Sequence, residues 1–298
     1  MRLAGTFAFG IAFWAGLSGV AVVSARAQEK PADAFYEIET KYIFGFTEGT
    51  SIGLQGEKEI SAETVAAFGK RFGRYAASQT KLEFEHTPTQ FIQVEFGALV
   101  ATHNISNVPD LTDRKAANFS GLFGEIRYLV IERGQSSPVA VTVSVEPVWR
   151  RIDETGGERV TNFELETKLH VDTELVPNRI YLGFNALYEP EVTRTSLGEW
   201  DRESTFGVSG AIAFRPIPTV LVGAEMGYFR HYEGLGFNTY TGDAVYIGPT
   251  LYVQLARKAF MTAAWATQIT GHAVDDPNTL NLVDFSRHRA KLKFALEF

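Results

Sequence analysis

The sequence predicts an all-β chain, a transmembrane antiparallel β-barrel of about twelve strands, with short turns at one end and longer loops at the other. Three observations predict it. Apolar and polar residues alternate with period two in about twelve stretches. Each stretch is near the ~10 residues that a tilted strand needs to cross a bilayer. The connections between stretches alternate between short and long.

Residues 1–27 stand apart. Arg2 precedes the apolar run LAGTFAFGIAFWAGLSGVAVV, and Ala25 and Ala27 suit small-residue cleavage before Gln28. This is the pattern of a secretory signal peptide. A membrane-anchoring helix is the alternative, since the run is about long enough to span, but Gly, Ser and Thr interrupt it. Residues 28–298 are then the barrel domain. Removing Arg2 and Arg26 leaves 26 basic against 35 acidic residues, a net charge of about −9. That balance argues against nucleic acid as a partner, because neutralising phosphates needs a basic surface. An apolar fraction of 45% with 21% charged residues is not a disordered composition. With no cysteine, disulfides, thiolate metal sites and cysteine nucleophiles are excluded.

The stretches run in order over about 36–46, 76–87, 91–103, 119–132, 139–151, 159–172, 179–190, 202–215, 219–232, 243–255, 259–270 and 284–298. VAVTVSVEPVW is typical: Val139, Val141, Val143, Val145, Pro147 and Trp149 share one face, and Ala140, Thr142, Ser144 and Glu146 the other. In TNFELETKLHV, Phe163, Leu165, Leu169 and Val171 oppose Asn162, Glu164, Glu166, Lys168 and His170. HTPTQ, RGQSSP, LVPN, RPIP and ARKA make short connections. Those at roughly 47–75, 104–118, 152–158, 191–201, 233–242 and 271–283 are mostly longer. Short turns on the periplasmic side and long loops outside are the outer-membrane pattern. Pro147 and Pro249 fall inside stretches and predict bulges, since proline removes a ladder hydrogen bond. Within 47–75, Val65, Phe68, Phe72 and Tyr75 have helical spacing, so a short helix and a hairpin extension are both open there.

Backbone groups in hydrocarbon must all be paired, so the last strand has to close on the first. The first, YEIETKYIFGF, puts Tyr36, Ile38, Tyr42, Phe44 and Phe46 towards lipid and Glu37, Glu39 and Lys41 inward. The last sets Arg287, Arg289, Lys291 and Lys293 inward, and opposite charges across the seam favour closure. The candidate lumen therefore holds acidic Glu37, Glu39, Glu83, Glu85, Glu164, Glu166 and Glu225, together with Arg127 and that cationic strip.

The final strand alternates Phe294, Leu296, Phe298. It resembles the C-terminal assembly signal of Gram-negative outer-membrane β-barrel proteins. The resemblance implies recognition by the barrel-assembly machinery and an outer-membrane location among lipid and lipopolysaccharide. GKRFGRYAASQTKLEFEHTPTQF, GEIRYLVIER and PVWRRIDETGGE further resemble an uncharacterised proteobacterial outer-membrane family. Neither resemblance brings a substrate or catalytic motif.

A charged lumen with both signs suits passive passage of small solutes or ions. The alternatives are a closed structural or surface-binding barrel, and a hydrolase at the outer rim, where GHAVDDP offers His272, Asp275 and Asp276. Lipid-facing His86 and His288 have no serine at matching depth. The six histidines show no metal-ligand spacing, and no phosphate-binding glycine loop is present. The sequence thus predicts no enzyme, no cofactor and no metal.

Overall fold

A computed structural model describes residues 38–134, 136–274 and 276–298. The signal-peptide expectation and Glu37 lie outside them. Twelve strands follow in chain order: β1 (Lys58–Phe68), β2 (Arg74–Thr89), β3 (Ile92–Ser106), β4 (Arg114–Ile131), β5 (Val139–Ile152), β6 (Arg159–Val176), β7 (Ile180–Arg194), β8 (Trp200–Ile217), β9 (Val220–Glu233), β10 (Thr239–Ala256), β11 (Ala259–Ala273) and β12 (His288–Glu297). Each pairs antiparallel with its sequence neighbours, and β1 pairs with β12, so the sheet closes. One end carries short turns such as 90–91, 218–219 and 257–258. The other carries 69–73, 107–113, 153–158, 195–199, 234–238 and 274–287.

Period two sets the two faces. Phe96, Ile126, Phe163, Ile212, Ile247 and Phe294 are exposed on the exterior, where a bilayer would cover them. Glu83, Glu95, Arg127, Glu146, Arg150 and Lys293 are buried inside. A closed antiparallel sheet leaves no unpaired edge for lipid to meet. With an apolar exterior and charged interior, this is an outer-membrane barrel.

The first strand differs from its prediction. Residues 38–57 do not join the wall. Residues 38–53 lie inside the barrel and contain one short 3-10 turn, Thr40–Tyr42, while 54–57 turn back at the short-turn end, where Leu54 is exposed. Tyr42, Ile43 and Phe44, expected to alternate with Phe44 towards lipid, are all buried internally, at 5%, 1% and 0% exposed. They pack against inward residues of β7–β12, including Tyr181, Ala213, Leu221, Tyr252 and Phe260. That inner apolar patch is the physical reason. A lumen surface of this kind needs an apolar cover, and burying each such side chain is worth about 1.5–3 kcal/mol. Strand β1 comes instead from the middle of the supposed long loop, KEISAETVAAF, so neither a helix nor a hairpin extension forms there.

The prolines also differ from expectation. Neither Pro147 nor Pro249 makes a bulge. Pro147 keeps its pairing to Leu165 of β6, and Pro249 keeps its pairing to Ala224 of β9. On the opposite side the ladder skips two residues and resumes in the same register. In an antiparallel ladder, a residue's N–H and C=O both face one neighbour. Proline is therefore tolerated where only that neighbour loses its bonds. Pro190 repeats the device, open towards β6 and paired to Ser204 of β8.

Candidate functional site: a plugged, charged lumen

Segment 38–57 is tied to the wall by polar contacts. Arg127, fully buried, donates from Nη1 to Glu48 Oε2 at 2.8 Å and from Nη2 to the Gly49 carbonyl at 2.8 Å. Lys168 Nζ lies 3.4 Å from Glu48 Oε1. Asn185 clasps the Glu48 backbone, accepting from its N–H at 2.8 Å and donating to its carbonyl at 2.7 Å. Glu225 accepts the N–H groups of Phe46 and Thr47. Asp172 accepts the Thr50 N–H and hydroxyl, both at 2.7 Å, and the Thr40 hydroxyl. Burial alone would raise the Glu48 carboxyl, but Lys168, Arg127 and His170 hold it well below the usual carboxylate range. Gly45 adopts φ +94, and a Cβ there would meet Ala264 Cβ at 2.8 Å. A Cβ at Gly183 would sit 2.9 Å from the Phe44 ring. Both positions need glycine for the segment to fit.

The charged strip of β12 pairs with one carboxylate expected in the lumen, Glu83, and with one that was not, Glu63. Lys291 bridges Glu63 of β1 at 3.0 Å, and Lys293 bridges Glu83 of β2 at 2.7 Å. Among the described residues the seam is thus neutralised by Glu63 and Glu83, with Glu59 at 4.0 Å from Lys293. Glu39 sits half-buried just before the 3-10 turn. Arg289 makes no ion pair among the described residues; its guanidinium lies over Phe46, Phe229 and Tyr246, 4.8–5.8 Å from the ring centroids. Arg287 is exposed beyond the strand, at the loop end. Lys41, on the luminal segment, donates to Glu85 at 2.7 Å and to Glu95. Glu164 takes Arg150, and Glu166 takes Lys168 at 2.8 Å.

Above the segment a cavity of about 380 Å³ reaches towards the loop-end turn at Thr155. Its lining holds eleven carboxylates against seven cations, so the space is net acidic. Sequence reasoning missed Glu63, Glu189 and the luminal Glu48. Glu63 and Glu48 lay in what read as one long outer loop. Glu189 flanks a proline at a predicted strand end.

Of the candidate rim group, two members lie among the described residues, His272 and Asp276. Asp276 is engaged by Arg71 at 2.6 Å and by Asn278, and Asp275 lies outside the described residues. His272 packs its ring near Tyr240. His86 Nδ1 lies 3.0 Å from the Glu57 carbonyl oxygen, and His288 Nδ1 lies 3.0 Å from Thr267 Oγ1.

Two groups among the described residues gather oxygen or nitrogen ligands within 4.8 Å: Glu48, Glu125 and His170, and Glu39, Glu57 and Glu297. In the first, Arg127 and Lys168 already neutralise Glu48. Ser144 and Asn185 occupy the two ring nitrogens of His170. The second is a set of carboxylates at the short-turn end.

No curated protein matches the chain. Among solved structures, the fold is similar to the COG4313 outer membrane channel from Pseudomonas putida F1. The two are 10% identical with a TM-score of 0.56, over 84% of this chain and 98% of that one. The translocator domain of the autotransporter NalP from Neisseria meningitidis matches at 11% identity and TM-score 0.48, over 83% and 90%. The NanC porin matches at 10% identity and TM-score 0.46, over 80% and 98%. At such identities the likeness is one of fold. A family model matches residues 36–298, and the chain belongs to that family, DUF6662, a family of unknown function.

Proposed function

We propose that the protein is an outer-membrane channel for small solutes, favouring cations, with segment 38–57 restricting the lumen. The observation that carries this reading is the acidic cavity between that segment and the loop end. Fixed charges of both signs line it, with carboxylates in excess. A permeant cation is drawn in, while the paired lysines and arginines keep the walls apart and hydrated. Membrane lipid and lipopolysaccharide surround it. The alternation Phe294, Leu296, Phe298 is the feature by which the assembly machinery would take it up.

A second reading is a closed barrel that binds at its outer face without conducting. The apolar docking of Tyr42, Ile43 and Phe44 favours it, because an occupied lumen resists passage. Planar-bilayer recording separates the two, after a heat-dependent gel shift has shown a folded barrel. Discrete, cation-selective steps support the channel. Silence from inserted, folded protein supports the closed barrel.

A further inference from the structure

One side of the exterior carries a cationic arc at the loop end. Each of the strands β5–β9 sets one arginine there: Arg151, Arg159, Arg194, Arg202 and Arg230. Arg151 and Arg159 continue the outward alternation of Trp149 and Phe163, which pair across β5 and β6. Arg194 stands opposite Trp200, Arg202 opposite Val192 and Arg230 opposite Phe206, all on the face that carries Phe184 and Ile212. Among the described residues, the other seven strands together put two lysine or arginine side chains on that face at the loop end, Arg74 and Lys115. The arc also keeps to one level. Arg194 lies opposite Thr161, two residues below Arg159, and Arg202 lies two residues below Arg194. The pairing row that starts at Ile60 by the short turns arrives at Tyr232 by the loops. The strands therefore lean, and a line of constant depth steps down the ladder from β5 to β9.

None of the five arginines makes an ion pair or a side-chain hydrogen bond among the described residues. Asp243, the carboxylate beside Arg230, is already engaged by the hydroxyls of Tyr228 at 3.2 Å and Tyr240 at 2.8 Å. Arg194 lies over Trp200 at 5.8 Å, and Arg230 over Tyr240 and Tyr232 at 4.7 and 5.5 Å from the ring centroids. A guanidinium held against a ring keeps N–H donors free for a phosphate. Such an unpaired cluster of cations draws anions from outside the chain.

A second feature lies below the arc on the same side. The exterior is indented by a groove of about 530 Å³ between Phe184, Ile212, Met226 and Ile247, where Gly210 and Ala224 leave room. Met226 is four residues below Arg230 on β9, roughly 13 Å along the strand. Cations above an apolar groove match a lipid with an anionic head and an acyl chain. The loop end faces the outer leaflet, which selects the lipid.

We infer that the β5–β9 exterior binds the phosphorylated sugar head of an outer-leaflet lipopolysaccharide on its arginines, with an acyl chain in the groove beneath. The inference rests on the proposed setting among lipopolysaccharide, and not on conduction.

The test is native mass spectrometry of the refolded full barrel titrated with diphosphoryl lipid A. Phosphatidylglycerol serves as a singly charged lipid, and inorganic phosphate as a head without chains. One variant combines Arg194→Gln, Arg202→Gln and Arg230→Gln. The other is Gly210→Leu, where a Cβ meets nothing nearer than the Gly183 carbonyl at 3.8 Å, so the side chain enters the groove without moving the wall. The gel shift verifies that both fold. Expected are lipid A binding at least tenfold tighter than phosphatidylglycerol, a loss of tenfold or more in the triple variant, and a loss of threefold or more in Gly210→Leu. Equal affinity for phosphatidylglycerol, inorganic phosphate bound as tightly as lipid A, or an unchanged triple variant overturns the inference. An unchanged Gly210→Leu overturns the groove as the acyl site. The same preparations are recorded in bilayers. Conductance without a lipid A preference refutes the lipid site and leaves the channel standing. A lipid A preference in a silent barrel does the reverse.

Discussion

Replacing Phe44 by Ala should release the luminal segment while leaving the wall intact. The ring is fully buried, packed among Tyr181, Ala213 and Leu221 and against the Cα of Gly183. Truncating a buried Phe to Ala costs about 3–5 kcal/mol, and the backbone ladders of the barrel make no use of this ring. At 1.4 kcal/mol per tenfold, the population of undocked segment should rise roughly 10²- to 10³·⁵-fold. The chain has no cysteine, so one introduced thiol reports cleanly. Thr47 is fully buried in the segment, and Thr47→Cys can serve as background for both proteins. Thiol labelling then tracks the open population where reclosing outpaces reaction. The account predicts a labelling rate at least a hundredfold faster with Phe44→Ala. Rates within twofold of each other, in barrels that still show the gel shift, would refute the docked-segment reasoning.

Other expectations follow from the same geometry. Arg127→Ala removes the cation beside Glu125 and leaves Glu48 only Lys168, and should weaken docking by about 3–5 kcal/mol, read by the same labelling. Because the Glu48 carboxyl is held low, its contribution to docking is present at neutral pH. It is lost only as pH falls through that depressed value, so protection of the segment from proteolysis should persist through the ordinary carboxylate range and fail only below it. Gly45→Ala forces a side chain into a positive-φ, crowded position and should loosen the segment by roughly 1–3 kcal/mol, seen as faster labelling. Neutralising Arg287, Arg289, Lys291 and Lys293 together should move the reversal potential further towards cation selectivity. An unchanged potential would remove these cations from the conduction path.

Most of the wall was legible because period two is a direct consequence of the pleat. Val143 and Phe163 had to face one way, and Glu146 and Glu164 the other. The luminal segment was not legible for the same reason. Ile38, Tyr42, Phe44 and Phe46 alternate like strand residues, and period two does not distinguish lipid from an apolar interior. The informative signal lay elsewhere, in inward positions of β7–β11 occupied by Tyr181, Ala213, Leu221, Tyr252 and Phe260. Aromatic and aliphatic side chains on the face expected to be wet require something to cover them. Strand β1 was hidden because Ala62, Thr64 and Ala66 give its outward face little apolar contrast. Lys291 and Lys293 of β12 pair with Glu63 and Glu83; the register of β2 already placed Glu83 inside, whereas Glu63 was hidden with β1 in the supposed loop.

The most direct test compares single-channel conductance of the refolded barrel with that of a variant beginning at Lys58, which removes the luminal segment and keeps every strand. The account predicts small, cation-selective steps from the intact chain and larger, longer-lived ones from the variant. Equal conductance from both would contradict the claim that residues 38–57 restrict the lumen.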